Sequence, residues 1–135
     1  MSRRFLIFFC LLFVGVFTCV AQETKEKTKT ASIQFDSMNA SIGTFPRSEA
    51  IKTATYTFKN VGNDKLVFYD AKPDCGCITV QLPDKPIKPG KKGKIVVNYK
   101  GSRKTPGHYN HRINFACNGN PPYFTLRLRF VMTEN

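Results

Sequence analysis

The sequence predicts an all-β fold, a single antiparallel β-sandwich of seven to eight short strands, and three observations carry that prediction. Apolar and polar residues alternate with period two in four separate runs. Clusters of Gly, Pro, Asn and Asp stand between the runs, where turns need them. No helical period of comparable strength occurs after residue 21.

The first element is a leader. Arg3 and Arg4 precede an apolar run from Phe5 to Phe17, which is shorter than the roughly 20 residues a membrane-spanning helix needs and ends at Cys19-Val20-Ala21. This pattern predicts a signal peptide over residues 1–21, cleaved after Ala21. The alternative is a lipoprotein anchored at Cys19, but Val16-Phe17-Thr18 lacks the leucine and the small residue that such sites carry.

Residues 22–31 form a polar linker, reading QETKEKTKT from Gln22 to Thr30, too poor in apolar residues to fold alone. The domain is expected over residues 32–133. Removing 21 of the 135 residues leaves enough chain for one domain that buries roughly 65% of its unfolded surface. Cys10 and Cys19 go with the leader, so Cys75, Cys77 and Cys117 remain. With three thiols, at most one disulfide forms within the chain and one thiol stays free.

Four strands name their own buried faces. In Thr53 to Lys59 the inward set is Ala54, Tyr56 and Phe58; in Lys94 to Lys100 it is Ile95, Val97 and Tyr99. In Gly107 to Cys117 it is Tyr109, His111, Ile113, Phe115 and Cys117; in Tyr123 to Met132 it is Phe124, Leu126, Leu128, Phe130 and Met132. Shorter strands are expected at Ser32 to Phe35, Ile42 to Phe45, Leu66 to Tyr69 and Ile78 to Leu82. One wetted face per strand is the antiparallel pattern, and this number of strands over about 100 residues reads as an immunoglobulin-like sandwich. It lacks tryptophan and a widely spaced cysteine pair, so it is not antibody-like.

The formal net charge is +12, and the leader takes two of the 21 basic residues and none of the nine acidic ones. Such a surface is drawn to anionic lipid or polysaccharide. No tight basic cluster interleaved with aromatics points to nucleic acid, and alternation accounts for much of the charge: Arg127 and Arg129 face away from Leu126, Leu128 and Phe130.

The chemistry-capable feature is Cys75-Gly76-Cys77. Glycine can take positive φ, which would turn the sulfurs toward each other or toward a common ligand. In a regular strand their Cα atoms would stand about 6.5 to 7 Å apart, at the limit for a disulfide, so a bond requires a turn, for which Lys72-Pro73-Asp74 is suited. Three readings stay open. The cysteines are structural, packed or bridged at a bend; or a readily reduced small-ring disulfide does redox work; or they bind metal. Zinc wants four ligands, and His108 and His111 point to opposite faces of one strand. Copper(I) would accept Cys75, Cys77 and Cys117 if the fold brought the last one near. His111, on an apolar face, reads as a hydrogen-bonded core histidine and His108 as solvated. Asp70 and Asp74 oppose thiolate formation, while Lys72 favours it. No nucleophile, histidine and acid spacing and no phosphate loop is present.

The order Phe58-Lys59-Asn60-Val61-Gly62, Leu66-Val67-Phe68, Cys75-Gly76-Cys77, Pro86-Ile87-Lys88-Pro89-Gly90 with Gly93, and Gly107 leading to Asn118 resembles the bacterial domain of unknown function 1573. That family is similar in fold to the Ig-like modules of the hydin and major-sperm-protein group. The resemblance covers roughly Ile33 to Met132 and implies an exported or envelope-associated Ig-like domain with no established reaction. Two departures are Ser41-Ile42-Gly43 in place of the usual Asp-Phe-Gly, and Cys117 where a serine is usual.

These observations predict an exported, periplasmic or secreted, non-enzymatic interaction or scaffold module of the cell envelope. It would use an open strand edge or its turns, with Tyr123, Phe124 and Pro121-Pro122 as contact candidates. No cofactor, nucleic-acid partner or transmembrane span of the mature chain is expected. The alternative is a thiol-disulfide or copper(I)-handling protein using Cys75 and Cys77.

Overall fold

A computed structural model describes residues 26–101 and 103–135. The leader, its cleavage after Ala21 and the alternative anchor at Cys19 lie outside the described residues. Among the described residues nine strands form two sheets: β1 (Ala31–Phe35), β2 (Asn39–Pro46), β3 (Ile51–Asn60), β4 (Phe68–Pro73), β5 (Ile78–Gln81), β6 (Lys92–Lys100), β7 (Gly107–Cys117), β8 (Gly119–Asn120) and β9 (Tyr123–Thr133). One sheet has the order β5-β6-β3-β1-β8 and the other β2-β9-β7-β4. The chain is thus an all-β sandwich of immunoglobulin-like architecture. Among the described residues no helix is long and apolar enough to cross a membrane.

The alternation seen in the sequence is the alternation of burial. Tyr56, Phe58, Ile95, Val97, Tyr99, Ile113, Leu126 and Leu128 are each at most 2% exposed, and together they fill the space between the sheets. Burial at this level stabilises by roughly 1.5–3 kcal/mol for each large apolar side chain, offset by lost chain entropy. The Tyr56 hydroxyl crosses the sandwich to donate to the Arg127 carbonyl at 2.6 Å, tying β3 to β9. Burial pushes its pKa up to about 12.

Asn60 explains the run Asn60-Val61-Gly62. It is fully buried and polar, so its side chain must find partners. Its Oδ1 accepts from the backbone N–H of Ser32 and Gly62, and its Nδ2 donates to the carbonyls of Asp64 and Ile87. Its main chain bonds Lys91 and Gly90. One side chain thereby joins β1, the β3–β4 loop and the Pro86–Gly90 loop. Gly62 lies so close to β1 that a Cβ there would fall 2.3 Å from the Thr30 carbonyl oxygen. Gly90 takes φ +78°, the left-handed region a turn glycine supplies.

Four details differ from the sequence expectations. The strand expected at Leu66 to Tyr69 begins at Phe68 and runs to Pro73. Leu66 instead exchanges two 2.9 Å backbone hydrogen bonds with Ile87, and Val67 is held by Asn118. The two-residue β8 is additional, and the pairings β1–β8 and β2–β9 are parallel while the remaining ladders are antiparallel. The polar segment before β1 is tied down at its end, because Asn63 bonds the Thr28 carbonyl and both backbone groups of Thr30.

Candidate functional site

Residues 74–77 carry the chain from the end of β4 in one sheet to the start of β5 in the other. At the β4 side, Asp74 extends the ladder by one step: its N–H donates to the Arg112 carbonyl, and its Oδ2 accepts from the Arg112 N–H, both at 2.9 Å. At the β5 side, the Cys77 carbonyl accepts from the Lys100 N–H at 2.8 Å. Between these anchors the Ile78 N–H closes a turn on the Cys75 carbonyl at 3.2 Å.

Within this turn Cys75 and Cys77 form a disulfide, with their Cα atoms 5.1 Å apart. The Cys75 sulfur also accepts the Cys77 N–H at 3.1 Å. The glycine serves differently from expectation, because positive φ occurs at Gly43, Gly90 and Gly107 and not at Gly76. The turn is instead closed by a main-chain hydrogen bond, and Lys72 and Pro73 end β4 rather than making the bend. A Cβ on Gly76 would meet nothing within 4 Å.

His111 sits beside this disulfide. A ring nitrogen of His111 and the two sulfurs lie within 4.8 Å of one another. His111 Nδ1 is 2.9 Å from Asp74 Oδ1, and only 12% of the side chain is exposed. A carboxylate acceptor at Nδ1 selects the tautomer with hydrogen there, which leaves the Nε2 lone pair available. Nε2 is buried and has no hydrogen-bond partner among the described residues, as is the Tyr99 hydroxyl. Burial and the neighbouring Tyr109 push the Tyr99 hydroxyl pKa up. The imidazole lies among the rings of Tyr109, Phe130 and Tyr99, with centroids 5.6, 5.8 and 6.1 Å away.

Burial pushes the Asp74 carboxyl up, but the Arg112 N–H, the His111 hydrogen bond and the two nearby positive groups outweigh it and hold the pKa below its ordinary value. This charge is engaged by His111 and Arg112. Asp70 is likewise paired with Lys72, at 3.3 Å on the surface.

Cys77 also borders a cavity of about 280 Å³ lined by Gly76, Cys77, Lys100, Gly101, Arg103 and Lys104. Its wall carries three cations and no acid. Gly101 admits the Tyr99 ring, since a Cβ there would fall 1.8 Å from the tyrosine hydroxyl.

Cys117 is not part of this cluster. It is buried at the far end of β7, opposite Phe68, six residues from His111 and hence roughly 20 Å along the strand. Burial pushes its thiol pKa up, against a lowering hydrogen bond from the Gly119 N–H. His108 is exposed. The thiol trio considered for copper(I) is therefore replaced by Cys75, Cys77 and His111. Bonded to each other, the two cysteines offer no thiolate; reduced, two thiolates and one imidazole make a soft three-ligand set suited to copper(I) rather than to four-coordinate zinc. The sequence signal for His111 was its place as the polar member of an inward row, which requires a partner. Asp74 became that partner through the β4–β7 register, which alternation does not specify.

Solved structures share the fold. A protein of unknown function from Porphyromonas gingivalis matches over 76% of this chain and 47% of its own, with 17% identity and a TM-score of 0.65. The chain thus spans about half the length of that protein. The PapD-like domain 7 of human CEP192 matches over 81% of this chain and 89% of its own, at 12% identity and a TM-score of 0.54. The periplasmic chaperone SfaE matches over 77% of this chain and 57% of its own, at 8% identity and a TM-score of 0.54. No curated protein matches the sequence significantly. The model of one family, described as "protein of unknown function (DUF1573)", matches residues 33–131, and the chain belongs to that family.

Proposed function

We propose that this protein is an exported, non-enzymatic interaction module of the bacterial cell envelope that takes an extended segment of a partner protein along the outer edge of β4. The observation that carries this reading is a pair of exposed tyrosines, one on an open edge strand and the other two strands in from it. Tyr69, on β4, is 68% exposed, and Tyr123, on β9, is 76% exposed. Tyr123 pairs with Ala116, which pairs with Asp70, so the two rings belong to neighbouring positions of one sheet. Tyrosine is enriched at such contacts because it offers a large rigid ring and a hydroxyl.

β4 ends its sheet, so one side of its backbone has no ladder partner. The Ala71 N–H is taken at 2.9 Å by the Asp70 side chain, a place an incoming carbonyl would occupy. Two of the other edges are shorter: β8 has two residues and β5 has four. The net charge of +12, of which Arg3 and Arg4 of the leader supply two, adds attraction to anionic lipid or polysaccharide, weakened by salt.

Site-specific photo-crosslinking in the producing cell tests this, with the crosslinker at Tyr69, at Tyr123 and at the exposed Thr55 of the opposite sheet. The expected result is one discrete protein adduct from both tyrosine positions and none from Thr55, in the envelope fraction. Equal labelling from all three, or fractionation with the cytoplasm, overturns the reading.

A further inference from the structure

We propose that the Cys75–Cys77 disulfide is an exchange site for anionic thiols, with Cys77 the sulfur attacked and Cys75 the leaving group. Two independent placements point the same way, and neither depends on the β4 edge. Cys77 borders the cavity lined by Lys100, Arg103 and Lys104, so a thiol bearing carboxylates is drawn to that side of the disulfide. The Cys75 sulfur receives the Cys77 N–H at 3.1 Å, a hydrogen bond that strengthens as the sulfur gains negative charge. The His111 imidazole stands within 4.8 Å of both sulfurs and is fixed in orientation by the Asp74 carboxylate.

The step balances without another reactant. The incoming thiolate attacks the Cys77 sulfur, a bond forms between them, the Cys75–Cys77 bond breaks, and its electron pair leaves on Cys75. The Cys77 N–H holds that thiolate, which takes its proton from the solvent. A second thiolate then attacks the substrate sulfur of the mixed disulfide and frees Cys77. Two thiolates have become one disulfide, the protein has gained two electrons, and its two cysteine thiolates take their protons from the solvent. The thiol is either a free small molecule or a cysteine flanked by acidic residues in another protein. Both present the same chemistry to the cavity.

The test uses protein purified without reductant and three probes: glutathione, the cationic thiol cysteamine, and a reduced peptide whose cysteine lies between glutamates. Acid-quenched intact mass and peptide mapping follow the mixed disulfide. After correction for thiolate fraction, glutathione or the acidic peptide should react about tenfold faster than cysteamine at low salt, with the adduct on Cys77. The ratio should fall toward one at high salt and in the triple variant K100Q/R103Q/K104Q. The faster of the two anionic probes identifies the source as small molecule or protein. Where the adduct is too short-lived, Cys75→Ser leaves a lone Cys77 thiol that should accept glutathione from oxidised glutathione faster than cysteamine from cystamine. Resistance of the disulfide to all three thiols, an adduct on Cys75, or equal rates for anionic and cationic probes in both proteins overturns the proposal.

Discussion

His111 Nδ1 and Asp74 Oδ1 are held 2.9 Å apart, joining the inward row of β7 to the bend that carries Cys75 and Cys77. Asp74 is held in turn by two backbone hydrogen bonds to Arg112, so the imidazole is oriented by a rigid acceptor. A carboxylate whose native pKa is depressed contributes stability above its unfolded value, near 3.8, and that contribution is lost as pH falls through the lower native value. Urea midpoints should therefore lie higher for the wild type than for Asp74→Ala at pH 6, and the gap should close in the acid range below pH 3.8. A gap that stays constant into that range would show that the carboxylate charge carries none of the effect.

Asn60 should be among the most sensitive polar positions. Replacing it by Ala strands two backbone donors and the Asp64 carbonyl in a buried junction and leaves the Ile87 carbonyl only its Leu66 partner, at a cost of about 3 kcal/mol or more. Chemical denaturation would register this as a lower midpoint with an unchanged slope, and a loss under about 1 kcal/mol would contradict the hub role.

Two of the glycines in the quoted motifs, Gly62 and Gly76, should behave oppositely. Gly62→Ala drives a methyl into the β1 backbone and should cost about 1–3 kcal/mol or more, whereas Gly76→Ala meets open space at a φ other residues adopt. The second variant should keep both its melting temperature and its disulfide, measured by intact mass.

Tyr56→Phe removes the hydroxyl that bonds Arg127 and should cost about 1 kcal/mol. A raised pKa means stability fully present below the unfolded value of 10.0 and lost as pH rises toward about 12. The wild type should lose stability across that window more steeply than the variant. Parallel alkaline profiles would refute the assignment.

Thiol counting separates the cysteines. With Cys75 and Cys77 bridged and Cys117 only 4% exposed, native protein freed of its leader should show no rapidly alkylated thiol. Denaturant without reductant should reveal one thiol if the leader has been removed, and three if Cys10 and Cys19 are retained.

The inward faces of β3, β6, β7 and β9 were legible in the sequence because side-chain alternation is a local property of an extended chain, readable from one strand at a time. Tyr56, Val97, Ile113 and Leu126 could each be assigned to the core from their immediate neighbours, and the family followed from the order of short motifs around Asn60, Gly62 and Gly90. The odd number of cysteines after the leader likewise required an unpaired thiol. Which strands lie side by side is not local, since the β4–β7 register depends on the packing of segments some forty residues apart. Tertiary structure alone decided that Asp74 meets His111, that the disulfide borders three cations, and that Cys117 sits at the opposite end of its strand from the imidazole.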